Sequence, residues 1–148
     1  MKINDYILKI KNLGACEKVV LDAHNYQTSQ ELWDKCERGD WMLWLVGKLS
    51  GEPELEKRKK LVLTACKCAR LALPYAGKNK DVVEKCIITT ENWASNIGRI
   101  TITDVRAAAD AAADAAADAA YAARTKALKQ CADIVRTDYP DVDSLFNA

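Results

Sequence analysis

The side chains with the most chemical potential in this chain are six cysteines, one histidine, four tryptophans and a run of evenly spaced aspartates. Cys16, Cys36, Cys66, Cys68, Cys86 and Cys131 first raise metal binding and disulfide formation. Cys66 and Cys68 are the closest pair, but they fall in the helical stretch LVLTACKCARLAL. There, two residues of separation turn the side chains about 200° apart around the axis, so they cannot share one ion. There is no CxxC pair and His24 is the only histidine. The thiols therefore read as reduced, mostly buried structural groups, with no metal and no cofactor expected. Catalysis finds equally little to work with. His24 has no serine or cysteine partner motif, and the chain has no GxSxG, HExxH, phosphate-binding glycine loop or dinucleotide fingerprint. Carboxylates paired from distant positions stay open as an acid–base couple. No catalytic residue is assigned, and the chain is not expected to be an enzyme.

Recognition chemistry is better represented. In the stretch CERGDWMLWLVGKL, Trp41 and Trp44 are three residues apart and share one face of a helix. They can serve the core, or one of them can join Arg38 as a binding hot spot, since tryptophan and arginine are enriched there. Arg38-Gly39-Asp40 also spells a cell-adhesion tripeptide, better explained as a turn followed by Asp40 capping the next helix. A second candidate surface is the tract AAADAAADAAADAA. Asp110, Asp114 and Asp118 recur every fourth residue and form an acidic stripe on a helix. That stripe can be a solvated face that keeps an alanine helix soluble, or a contact for a basic partner in which carboxylates imitate phosphates. The partner-binding candidates are thus Arg38, Asp40, Trp41, Trp44, Asp110, Asp114 and Asp118.

The elements that must position these residues are all helical in pattern, and convincing strand alternation is nearly absent. Tyr6, Ile7, Ile10 and Leu13 have helical spacing, and Gly14 offers a stop. A helix from Ala15 to about His24 follows. Thr28 and Glu31 form a capping box that starts a short helix, which Gly39 can end. Asp40 then caps a helix whose apolar face is Met42, Leu45, Val46 and Leu49. Pro53 opens the next, which carries the basic run Lys57 to Lys60 into an apolar second half and closes at Pro74. That apolar half has the pattern of a central helix. Asp81 and Glu84 suggest another capping box, and the helix they open fades at Asn96 and Gly98. Thr101 and Asp104 make a variant capping box, with Ile100 and Val105 placed as a hydrophobic staple. From there no glycine or proline interrupts until after Arg136, so one long helix of about 50 Å is predicted.

These elements make one all-α domain over residues 1–148: a short-helix bundle over 1–100, a long Ala-rich helix over 101–136 and an acidic tail over 137–148. Lysine and arginine total 22 against 21 aspartate and glutamate, a net charge of +1 that gives no global attraction to nucleic acid or an anionic membrane. The basic run Lys57 to Lys60 lacks interleaved aromatics and a helix-turn-helix pattern, so direct nucleic-acid binding is not expected. The start of the chain has no signal-peptide pattern and no stretch is long and apolar enough to span a bilayer, which points to a cytoplasmic protein without membrane contact. The alanine face could pack against a second copy in a homodimer or fold back over the N-terminal helices, and the sequence does not choose.

Several blocks together carry a family resemblance: LGAC at 13–16, CERGDWMLWLVGKL at 36–49, KLVLTACKCARLALPY at 60–75, ENWA at 91–94 and TDVRAAADAAADAA at 103–116. Over about residues 10–125 the chain resembles the fifth immunity-protein family of bacterial polymorphic toxin systems, an all-helical group. The resemblance implies a small protein that binds a cognate toxin and blocks it. Similar proteins occur on phages and other mobile elements, where the implied alternative is an inhibitor of a host defence system such as a CRISPR effector. The resemblance brings no catalytic residues with it.

Overall fold

The computed structural model describes residues 1–115 and 121–147. Helices succeed one another along the chain: α1 (Ile3–Asn12), α2 (Glu17–Ala23), α3 (Ser29–Lys35), α4 (Gly39–Leu49), α5 (Glu56–Ala72), α6 (Lys80–Ala94), α7 (Ile102–Ala115), α8 (Tyr121–Asp138) and the single turn α9 (Val142–Leu145). The expected all-α class is what is observed, with one isolated antiparallel bridge between Lys2 and Thr28 as the β pairing among the described residues. No described helix is long and apolar enough to cross a membrane.

Local signals placed several boundaries as expected. Gly14 follows α1 at φ +86°, a left-handed conformation that glycine adopts without a Cβ clash. The Thr28 hydroxyl accepts from the Glu31 amide at 3.1 Å, and the Glu31 carboxylate reaches back to the Gln27 amide at 2.9 Å. At the start of α7, the Thr101 hydroxyl accepts from the Asp104 amide at 3.3 Å while the Asp104 carboxylate accepts from the Thr101 amide at 2.8 Å. Both arrangements satisfy amides that a helix start leaves without intrahelical acceptors.

Other boundaries differ from the expectation, each for a visible reason. Gly39 opens α4 and does not end α3, because the α4 backbone approaches α8 so closely there that a Cβ would sit 2.6 Å from the Cβ and Sγ of Cys131. Asp40 is consequently inside the first turn, with Arg38 in the cap position, so it is not the N-cap. The stop of α3 comes from tertiary contact: Arg136 of α8 donates to the carbonyl oxygens of Trp33 at 3.0 Å and Cys36 at 2.7 Å. Pro53 lies ahead of α5, which begins at Glu56, and α6 begins at Lys80 with no cap formed at Asp81. The long helix expected over 101–136 is seen as α7, packed along α6, and α8, packed against α4 and α5. The stretch that would join them, residues 116–120, lies outside the described residues. The expected acidic tail is docked. Asp138 ends α8, Asp141 caps α9 by accepting from the Asp143 amide at 2.9 Å, and Val142 is fully buried.

α5 packs on α4, α6 and α8, but it buries only Leu61, Thr64 and Cys66 and is not enclosed all round as its apolar half suggests. Its two close cysteines face opposite ways, as their spacing requires: Cys66 joins Leu73 and Ile87 in a small cluster against α6, whereas Cys68 packs on the main core. The main core is built by α1 to α5, α8 and α9, with Ile10, Trp33, Met42, Val46 and Val135 among its most enclosed side chains. α8 lies antiparallel to α5. The Cys68 thiol points at the Cys131 carbonyl at 3.8 Å, and further down the Thr64 hydroxyl donates to Asp138 at 2.7 Å. Lys67 also donates to both Asp138 oxygens, at 2.9 and 2.8 Å. Burial pushes the Asp138 carboxyl upward, but the bonds from Lys67 and Thr64 and the charges of Lys67 and Lys60 outweigh it, holding the group below the ordinary aspartate value.

Two consequences are testable. Gly39→Ala forces a methyl onto Cys131 and the Ala132 amide, whereas at Gly47, in the same helix, the nearest side-chain atom to an added Cβ is 3.6 Å away. Gly39→Ala should lose about 1–3 kcal/mol by overpacking, and Gly47→Ala should gain about 0.5–1 kcal/mol from restricting the unfolded chain. Urea unfolding of both reads the contrast; equal values would remove the close approach. A carboxyl depressed in the folded state adds stability above its unfolded pKa and loses it as pH falls through the folded one. Asp138→Asn should therefore cost about 1–3 kcal/mol near neutrality. The deficit should narrow below the ordinary value of 3.8. A deficit constant with pH would show that the charge of Asp138 contributes nothing.

Candidate functional site

The close approach at Gly39 sets the first turn of α4 and hence the residues on either side of it. Arg38, just ahead of the helix, donates through Nε to Asp40 Oδ1 at 2.8 Å and through one Nη to Oδ2 at 2.6 Å. Burial raises the Asp40 carboxyl, and the Arg38 bonds and charge together with nearby amides more than reverse this, leaving it below the ordinary value. With its fork fixed on Asp40, the guanidinium lies over the Trp41 ring, 4.3 Å from the centroid. One turn on, Lys48 sits over the Trp44 ring at 5.9 Å. Both geometries are within cation–π range, the Arg38 contact being the closer, and at exposed sites each contributes about 0.5–1 kcal/mol.

Trp41 and Trp44 are half-buried, and between them and the start of α2 opens a cleft of about 310 Å³. Its walls are Gly14, Ala15, Cys16 and Val19 on one side and Asp40, Trp41 and Trp44 on the other. Behind the two indoles a cavity of about 20 Å³, room for a single water, is lined among others by Tyr6, Asp22 and Trp33. The structure thus brings Arg38, Asp40, Trp41 and Trp44 together. It also brings LGAC beside CERGDWMLW, two blocks that are separate in sequence.

The aspartate stripe is elsewhere. Asp110 and Asp114 lie on α7, which packs on α6, and Asp118 lies outside the described residues. The α2 wall of the cleft and Lys48 were not among the residues singled out from sequence. Cys16 departs from the buried-thiol expectation, being exposed at the cap position of α2, while Cys36, Cys66 and Cys131 are buried. Burial pushes the Cys66 thiol up to about 11, which keeps it protonated and a poor nucleophile. Among the described residues no group of three or more His, Cys, Asp or Glu could hold a metal ion.

Most of the basic run is spent inside the molecule. Arg58 donates twice to the Gly51 carbonyl, at 3.0 and 2.7 Å. Lys59 donates to Asn96 at 2.7 Å, and Lys60 donates to the Asp138 carbonyl at 2.8 Å while covering the Tyr139 ring. Arg58, Lys59 and Lys60 thus hold neighbouring segments to α5, while Lys57 is exposed.

A chemically mute cleft and a recognition cleft differ in how freely its rings meet solvent. Of the four tryptophans, Trp33 and Trp93 are buried, so acrylamide quenching should divide the emission into two accessible and two protected components. Replacing Trp41 and Trp44 by Phe should delete the accessible component and leave the fold intact by circular dichroism; retention of that component would show the cleft closed. No protein-family model, no curated protein and no solved structure matches the chain, so the cleft is read from its own geometry.

Proposed function

We propose that this protein is a non-enzymatic inhibitor that binds and neutralises a protein partner, a toxin in the first place, and that the Trp41–Trp44 cleft is the centre of the contact. The observation that carries this reading is the cleft itself. It presents two half-buried indoles, each held by a cation of the same chain, beside an arginine with hydrogen-bonding capacity to spare. Tryptophan and arginine are the side chains most enriched among residues that dominate interface energies, and they do so when set in a pocket that excludes water. The resemblance to immunity proteins agrees with the reading, because LGAC and CERGDWMLW form the two walls.

Binding chemistry also fits better than bond-making chemistry. Asp40 is committed to Arg38, and Asp138 to Thr64 and Lys67, so these carboxylates serve as structural anchors. His24, at the exposed end of α2, is not among the residues that line the cleft.

Co-production should restore growth to cells that make the cognate toxin, and the two proteins should co-purify. Trp41→Ala and Trp44→Ala should each weaken the complex by about 2 kcal/mol or more, on the order of 30-fold in affinity. A double variant that is folded by circular dichroism yet protects as well as the native chain would remove the cleft from the contact. Turnover of a substrate by the purified protein would overturn the inhibitor reading as a whole.

A further inference from the structure

The polar groups around the cleft are unequally occupied, and this inequality says what kind of segment the cleft takes. Asp40 is its carboxylate, and both oxygens already accept from Arg38. Its capacity to accept more is small. The donors are in the opposite state. A guanidinium has five N–H groups, and Arg38, stacked on the Trp41 ring, uses Nε and one Nη on Asp40, which leaves the other Nη unbonded among the described residues. Among the described residues neither the Trp41 nor the Trp44 indole N–H is bonded, and neither is a buried orphan. Lys48 adds a second cation against Trp44. Asp22 lines the small cavity that both indoles also border and is not among the residues that line the cleft. The cations stacked on the two lining rings thus bring donors and positive charge next to an apolar floor of Ala15, Val19 and the indoles.

Resting on the reading of this cleft as the partner site, we infer that its occupant is an acidic peptide segment: an apolar side chain seated between Trp41 and Trp44, with an aspartate or glutamate next to it that accepts from Arg38 and the indole N–H groups. A carboxylate can accept from the Nη that Asp40 leaves unused, and stacking on Trp41 holds the guanidinium in place before the partner arrives. A basic segment would bring cations against Arg38 and Lys48 and leave the donors unanswered. The volume of about 310 Å³ accommodates one or two apolar side chains and excludes a folded domain.

The indole ¹⁵N–¹H signals of the intact protein test this directly, because Trp33 is a built-in control: its Nε1 donates to the Tyr139 carbonyl at 2.8 Å inside the core. The probes are blocked tetrapeptides with two central leucines flanked by glutamates, by glutamines or by lysines. The glutamate peptide should shift Trp41 and Trp44, leave Trp33 unmoved, and bind at least about tenfold more tightly than the glutamine peptide. Arg38→Ala should abolish that preference while the Trp44 response persists, and Arg38→Lys, which keeps charge but not the fork, should retain only part of it. Equal shifts from the three peptides, a preference for lysine, or silence up to about ten millimolar would each overturn the acidic-segment assignment. None of those results touches the toxin-protection test, so the two readings fail separately.

Discussion

The contact between Gly39 and α8 is the constraint on which the arrangement around it depends. Three helices meet there: α4 begins against the Cys131 side chain and the Ala132 amide, and the Cys68 thiol of α5 points at the Cys131 carbonyl. A close approach of this kind exchanges side-chain volume for backbone proximity, and interiors at native packing density have no slack to absorb an added methyl. One turn further along α8, Arg136 takes the carbonyls at the end of α3. The loop between α3 and α4 is therefore fixed from both sides, and Arg38 leaves it in a set direction. The position of a surface arginine is in this sense a consequence of the core.

Charges in this molecule act mainly as fasteners between elements. Arg70 of α5 pairs with Glu91 of α6, Lys67 of α5 with Asp138 of α8, and Lys129 of α8 with Glu37 ahead of α4. Exposed pairs of this sort contribute little each. The group around Asp138 is different, because its carboxylate is mostly covered and takes hydrogen bonds from two helix positions at once. Lys60 completes that corner by bonding the Asp138 carbonyl and covering Tyr139, which ties the last part of the chain to α5. The net charge of +1 thus conceals a directed use of charge, and the basic run illustrates it: Arg58, Lys59 and Lys60 act as clamps between segments.

What could be read from sequence follows the range of the forces involved. The Thr28–Glu31 and Thr101–Asp104 caps and the stop at Gly14 are decided by hydrogen bonds and dihedral preferences within a few residues, and each is found where its residues predict it. The opposition of Cys66 and Cys68 follows from helix geometry alone. Gly39 and Asp40 were misplaced because their roles are set by α8, which no local rule can see. Asp81 resembles a cap by type and spacing, yet α6 starts ahead of it at Lys80, after the short turns over Leu73–Tyr75 and Gly77–Asn79. Likewise, Trp41 and Trp44 declare themselves by type, but their opposite wall of Gly14, Ala15, Cys16 and Val19 carries no local signature. Only the folding of α2 against α1 and α4 makes it a wall.

For the binding role proposed above, the cleft's value would lie in what is already settled before a partner arrives. Association costs free energy for every rotamer-rich side chain that must be immobilised, and two tryptophans with few torsions each, restrained by Arg38 and Lys48, leave little to immobilise. Arg38 has lost much of its own freedom to Asp40 and to the ring beneath it. These restraints form a chain, from the missing Cβ of Gly39 to the first turn of α4, to the carboxylate at Asp40, to the guanidinium and finally to the indole. A change at any link loosens the next, so substitutions that touch no partner can still weaken the contact by disordering Arg38. Loss of binding without loss of an interface side chain is therefore the signature expected of a preorganised cleft, and it separates this site from an exposed charged ridge, where each carboxylate would contribute on its own.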